Sequence, residues 1–70
     1  MAELKYEIVK NIGIIGEGAK GNKELNMVRW NDRPVKYDIR EWSDDHTQMS
    51  KGITLTQEEL QTLKNLLNTL

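Results

Sequence analysis

The sequence predicts an α+β fold, four antiparallel strands in a meander followed by one C-terminal helix, within a single domain spanning residues 1–70. Three observations carry this. Apolar and polar residues alternate through much of residues 4–42, the period of a strand. Clusters of Gly, Asn, Asp and Pro interrupt the alternation at 16–22 and 31–34. The last segment opens with a helix cap and then repeats leucine at helical spacing.

The first strand is read over Leu4–Ile15, with Leu4, Tyr6, Ile8, Ile12 and Ile14 on one side and Lys5, Glu7 and Asn11 on the other. Lys10 interrupts the apolar side, and Val9 and Ile15 add apolar surface to the polar one. Gly16–Asn22 is a flexible connection; it lacks the Lys-Ser or Lys-Thr ending of a phosphate loop, and no helix follows. Glu24–Asn31 is the second strand, with Leu25 and Met27 on one face and Asn26, Val28 and Trp30 on the other. The third strand runs through Lys36–Trp42, where Val35, Tyr37 and Ile39 alternate with Lys36, Arg40 and Trp42.

For the apolar faces of the second and third strands to coincide, the turn around Asp32-Arg33-Pro34 must hold an odd number of residues, three or five. Met27 then falls near Ile39 and Leu25 near Glu41. The same register gathers Trp30, Lys36, Arg40 and Trp42 on one exposed face, with Arg33 at its edge. Ser43–Ser50 is a polar, acidic connection, and Lys51–Leu55 a short fourth strand. Thr56 and Glu59 have capping-box spacing, with Leu55 and Leu60 placed for a hydrophobic staple. Leu60, Leu63, Leu66, Leu67 and Leu70 form an apolar stripe, with Lys64 on the polar side. The stripe packs on the sheet, and a second copy of the helix can share it across a dimer.

Composition bounds the function. Seventy residues without cysteine exclude disulfides and thiolate metal sites, so a small core leaves dimerisation as the remaining source of buried area. No apolar run approaches a membrane span or a signal-peptide core, which points to the cytoplasm, nucleoid included, and to no membrane partner. The net charge of −1 argues against a nucleic-acid binder only if charge is spread evenly. Residues 20–40 instead hold Lys20, Lys23, Arg29, Arg33, Lys36 and Arg40 against Glu24, Asp32 and Asp38, a local basic patch beside which an ordinary mixed surface is the plain alternative.

Catalysis finds no support. His46 is the one histidine, beside Asp44 and Asp45 in a polar turn, and such a trio is more often solvated than metal-binding. Ser43 and Ser50 lack the context of a nucleophile. No enzyme activity, cofactor or metal is expected.

Tryptophan is more often buried than used as a stacking platform. Here both tryptophans share the parity of Lys36 and Arg40. Cations and aromatics on one face suit a charged backbone carrying flat bases, the chemistry of a single-stranded nucleic acid. Asn26 shares that face, and Lys20 and Lys23 flank it.

Val28–Arg33, Asp38–Trp42 and Lys51–Thr56 together resemble the C-terminal domain of the transcriptional coactivator positive cofactor four, a family that also includes small bacterial single-domain proteins. The resemblance covers about residues 24–67. It implies a β-β-β-β-α protomer with a curved sheet, a homodimer built around the helices, and binding of single-stranded DNA or melted duplex. It also implies that Trp30, Arg33, Arg40, Trp42 and Lys51 contact DNA. Asn31 stands where the family often has Lys, and Pro34 alters the turn.

The resulting expectation is a sequence-independent single-stranded DNA binder acting in transcription, replication or repair. Phosphates follow Lys20, Lys23, Arg33, Lys36, Arg40 and Lys51, bases stack on Trp30 and Trp42, and Asn26 lies beside them. Leu60, Leu63, Leu66, Leu67 and Leu70 form the dimer interface. Two alternatives stay open: a dimeric interaction module for a transcription or polymerase component, and a single-stranded RNA binder.

Overall fold

The computed structural model describes residues 5–70; Leu4, expected to open the first strand, lies outside the described residues. Four strands, β1 (Tyr6–Glu17), β2 (Asn22–Trp30), β3 (Lys36–Trp42) and β4 (Ile53–Leu55), precede one helix, α1 (Gln57–Leu67). The strands form one antiparallel sheet in the order β1-β2-β3-β4. The α+β reading therefore holds, with a shorter fourth strand than expected.

Simple alternation fails along β1. The register against β2 slips between Ile8 and Lys10, between Asn11 and Gly13, and between Ile14 and Gly16. Val9, Ile12 and Ile15 are thus extra residues, three bulges in succession. Each bulge gives β1 more length than β2, which bends and twists the sheet. Tyr6, Ile8, Asn11 and Ile14 face the same way as their partners Trp30, Val28, Asn26 and Glu24. Lys10 passes to the opposite face, beside Met27, so it never interrupts the apolar side.

Parity holds between β2 and β3, but the register sits two residues from the expected one. Leu25 pairs with Ile39 and Met27 with Tyr37. The pairing stops at Val28↔Lys36, which leaves seven residues in the connection, an odd number but a wider turn than three or five. Beyond Val28, β2 continues against β1 alone, through Arg29↔Glu7 and Trp30↔Tyr6.

The two sheet faces exchange their expected roles. The core residues Val28 and Trp42, and the buried polar residues Glu24, Asn26 and Asp38, all belong to the face that carries Trp30. The Leu25 face, expected to be core, is only half-buried at Leu25, Met27, Tyr37 and Ile39. The helix explains this. Its Thr56 capping box forms as expected, but α1 has no buried residue and, among the described strands, packs against β3 and β4. Packing of the leucine stripe on the sheet is therefore incomplete: Leu60 and Leu63 are half-buried, while Leu66, Leu67 and Leu70 are exposed.

Gly21 lies where the β1–β2 turn passes the end of β3, and a Cβ there would overlap the Trp42 carbonyl. Around Gly16, by contrast, nothing lies within 4 Å of an added Cβ. Gly21→Ala is expected to lower stability by about 1–3 kcal/mol, the cost of overpacking. Gly16→Ala is expected to raise it by roughly 0.4–1 kcal/mol through the unfolded chain. Urea unfolding at one protein concentration measures both.

Candidate nucleic-acid interface

The β2–β3 connection builds the site. Asn31 and Asp32 have φ of 49° and 64°, the left-handed pair of a type I′ turn, closed by Arg33 N–H donating to the Trp30 carbonyl at 2.9 Å. Asn and Asp tolerate this region better than other non-glycine residues. The turn is tied to β1: Asn31 N–H donates to the Lys5 carbonyl, and Lys5 N–H to Asn31 Oδ1 at 2.8 Å. Pro34 follows with no N–H to offer a ladder. A recess of about 240 Å³ opens here, lined by Trp30, Arg33, Pro34, Lys36 and Thr54. Arg33 and Lys36 are exposed, and neither is in an ion pair among the described residues.

Arg40 is arranged differently. Its Nε donates to Asp38 Oδ1 at 2.6 Å and its Nη2 to Oδ2 at 2.7 Å, a two-point ion pair between i and i+2 residues on one strand face. Nη1 reaches Met49 Sδ and the Ser50 carbonyl, both at 3.5 Å. The Arg40 side chain is 14% exposed, and its guanidinium carbon lies 4.7 Å from the Trp30 ring centroid. Tyr6 adds a tilted contact to Trp30 at 6.1 Å.

Two sequence-derived contacts are corrected. Trp42, expected as an exposed platform, is 1% exposed. The 43–50 connection folds over it as a strap. Trp42 and Met49 form a β-bridge, and the Trp42 ring packs on Tyr6 at 5.3 Å and His46 at 5.7 Å. Tyr6 Oη donates to the His46 carbonyl at 2.6 Å, and His46 Nε2 faces both Glu24 carboxylate oxygens at 3.0 Å. Asn26, expected to reach nucleic acid, is fully buried. It donates to Glu24 Oε1 at 3.1 Å and accepts from Asn11 at 2.7 Å. The strap has its own turn at Asp45. Thr47 donates to the Asp45 carboxylate from hydroxyl and backbone, and Ser43 from its hydroxyl, which holds that carboxyl below its ordinary range. His46 thus serves as a clamp, where its sequence suggested only a solvated turn. Among the described residues no group of three His, Cys, Asp or Glu side chains is placed to hold a metal ion.

The remaining cations do not line the recess. Lys23 stands seven residues before Trp30 on β2, roughly 23 Å away at strand rise. Lys20 lies in the turn beside it, its backbone N–H donating to Glu41 Oε1. Lys51 is exposed just before β4, next to Ser50, which bonds to Glu41 through both backbone and hydroxyl. Arg29, in the basic run, is paired with Glu7 at 2.9 Å. Thr54 and Tyr6 are neighbours of Trp30 that sequence reasoning missed; only the β3–β4 and β1–β2 registers bring them there.

On the opposite face, Leu60, Leu63 and Leu67 of α1, with Ile15, Leu25, Ile39, Lys64 and Asn68, line an apolar groove of about 490 Å³. Lys64 therefore sits at the groove, where the helical pattern had put it on the polar side. Leu66 and Leu70 are not among the groove residues. No helix among the described residues is long and apolar enough to cross a membrane.

An uncharacterized protein of Treponema pallidum (strain Nichols) is 44% identical over 69 residues, 97% of this chain and 81% of that protein. The family model described as Transcriptional Coactivator p15 (PC4) matches residues 18–66, which hold β2 to β4, the Trp30 turn, the strap and nearly all of α1. The chain belongs to the Transcriptional Coactivator p15 (PC4) family.

Proposed function

We propose that this protein is a non-enzymatic, cytoplasmic homodimer that binds single-stranded DNA with little sequence preference, acting where strands are exposed in transcription, replication or repair. The observation that carries this reading is the Trp30 recess, an aromatic ring flanked by two cations, Arg33 and Lys36, with no carboxylate partner among the described residues. Any base offers a face to stack on, so such a site reads strandedness rather than sequence. A duplex hides those faces. Lys20, Lys23 and Lys51 extend the phosphate track away from the recess. Family membership supports the same reading, through the DNA contacts that the resemblance implies for Trp30, Arg33 and Lys51.

The dimer rests on the groove between α1 and the Leu25 face. Its lining includes the exposed Ile15 and Leu67 and the half-buried Leu25, Ile39, Leu60 and Leu63, an apolar surface that one helix leaves open. Burying a leucine is worth about 1.5–3 kcal/mol, so a second copy seated here stabilises a small protomer by several kcal/mol.

Anisotropy titrations with labelled oligonucleotides test the ligand. Single-stranded DNA is expected to bind above blunt duplex, with log affinity falling against log salt by about 0.7 per phosphate contacted. Equal affinity for duplex contradicts the reading, and stronger binding of the matching RNA would reassign the ligand.

The tryptophans are expected to separate. Trp30→Ala should cost about 1–3 kcal/mol of binding with the fold kept. Trp42→Ala should cost roughly 3–5 kcal/mol of stability, as for a large core truncation. Thermal melts run beside the titrations distinguish the two.

For the dimer, Leu67→Asp should dissociate or unfold the protein in sedimentation experiments, while Glu58→Gln, on the side of α1 away from the groove, should leave it intact. The wild-type melting temperature should rise with protein concentration. A stable wild-type monomer at micromolar concentration contradicts the dimer.

A further inference from the structure

We infer that Asp38 and Thr54 are positioning residues of the nucleic-acid site, holding Arg40 as a fixed brace on the Trp30 ring and withholding its charge from phosphate. This rests on the proposed binding of single strands at Trp30. Three observations lead to it. Asp38 is fully buried, in the middle of β3, with its two oxygens taken by Arg40 Nε and Nη2. Thr54, which pairs with Asp38 across β3 and β4, donates its hydroxyl to Asp38 Oδ2 at 2.9 Å. The guanidinium so fixed lies 4.7 Å from the centroid of the Trp30 ring.

The cations near Trp30 therefore divide by role. Arg33 and Lys36 have no carboxylate partner among the described residues and attract phosphate. Arg40 carries the same formal charge, but a carboxylate within 2.7 Å offsets it, and its Nε, Nη1 and Nη2 are all turned to partners inside the protein. Its contribution is mechanical and short-ranged: it fixes the ring that a base stacks on. Thr54 is at once a donor to Asp38 and a wall of the recess, so it couples the brace to the space a base would enter.

Salt dependence separates a braced cation from a phosphate-binding one, because each phosphate contact adds about 0.7 to the slope for single strands. Arg40→Gln alone would strand a buried carboxylate, so the neutral pair Asp38→Asn with Arg40→Gln is the cleaner variant. It should keep the wild-type salt slope and lose roughly two- to fivefold in affinity at high salt, the worth of the lost cation–ring contact. Asp38→Asn alone frees the guanidinium and should steepen the slope by about 0.7. Thr54→Val should keep the slope and lose affinity at high salt.

A second readout needs no DNA. In 5-fluorotryptophan protein, the Trp30 fluorine resonance should shift in Asp38→Asn and Thr54→Val while that of Trp42 stays. A double variant whose slope falls by about 0.7 would show Arg40 on phosphate and overturn the inference. An unmoved Trp30 resonance would overturn it as well, even with wild-type binding intact. A wild type that leaves single strands unbound would instead overturn the function, with the fluorine spectra still deciding whether Asp38 holds the ring.

Discussion

The strap over Trp42 is the constraint on which the rest depends. Its anchors are few and specific. Tyr6 donates to the His46 carbonyl, His46 faces Glu24, and the Trp42 ring fills the space between Tyr6 and His46. Glu24 is buried, yet its Oε1 receives Asn11 and Asn26 besides facing His46. A buried carboxylate without such partners would be costly. With them, the bent face of the sheet closes on itself, and a core forms on the side that also carries Trp30. Removing the strap would expose Trp42 and leave Glu24 short of a partner.

Closure moves the binding surface. Had the whole Trp30 face stayed open, two tryptophans and a row of cations would share it. Instead the strap covers Trp42 and the polar cluster beside it, and the Trp30 end of that face stays open. There β2 outruns β3 and leans on β1, so the turn overhangs and Trp30, Arg33 and Lys36 surround a recess. The other face keeps its apolar residues half-open because α1 stands off, consistent with the proposed second copy. One protomer thus has two unfinished surfaces with different chemistry: a cationic, aromatic recess, the proposed seat of a single strand, and an apolar groove, the proposed seat of a second copy.

Strand parity was legible in the sequence, and it put Trp30, Lys36, Arg40 and Trp42 on one face, as observed. The capping box of Thr56 and Glu59 was legible too, being local. Exposure was not, because period-two alternation says which residues share a face and not which face is covered. The bulges were hidden for a related reason: Val9, Ile12 and Ile15 recur every third residue, a pattern that alternation treats as noise. Lys10, misplaced by strict parity, was the local clue. Net charge misled in a smaller way. Arg29 and Arg40 belong to the basic run but are paired with Glu7 and Asp38, contacts that only the sheet register and rotamers reveal.

The central claim is that a single strand is read at Trp30 and that Trp42 is a core residue. The most direct measurement is a ¹H–¹⁵N NMR titration of the wild-type protein with a short oligothymidine, following both tryptophan indole N–H signals and the arginine side chains. The account predicts large shifts for the Trp30 indole and the Arg33 side chain, with the Trp42 indole unmoved. Shifts centred on Trp42, or confined to the face of α1, would contradict it.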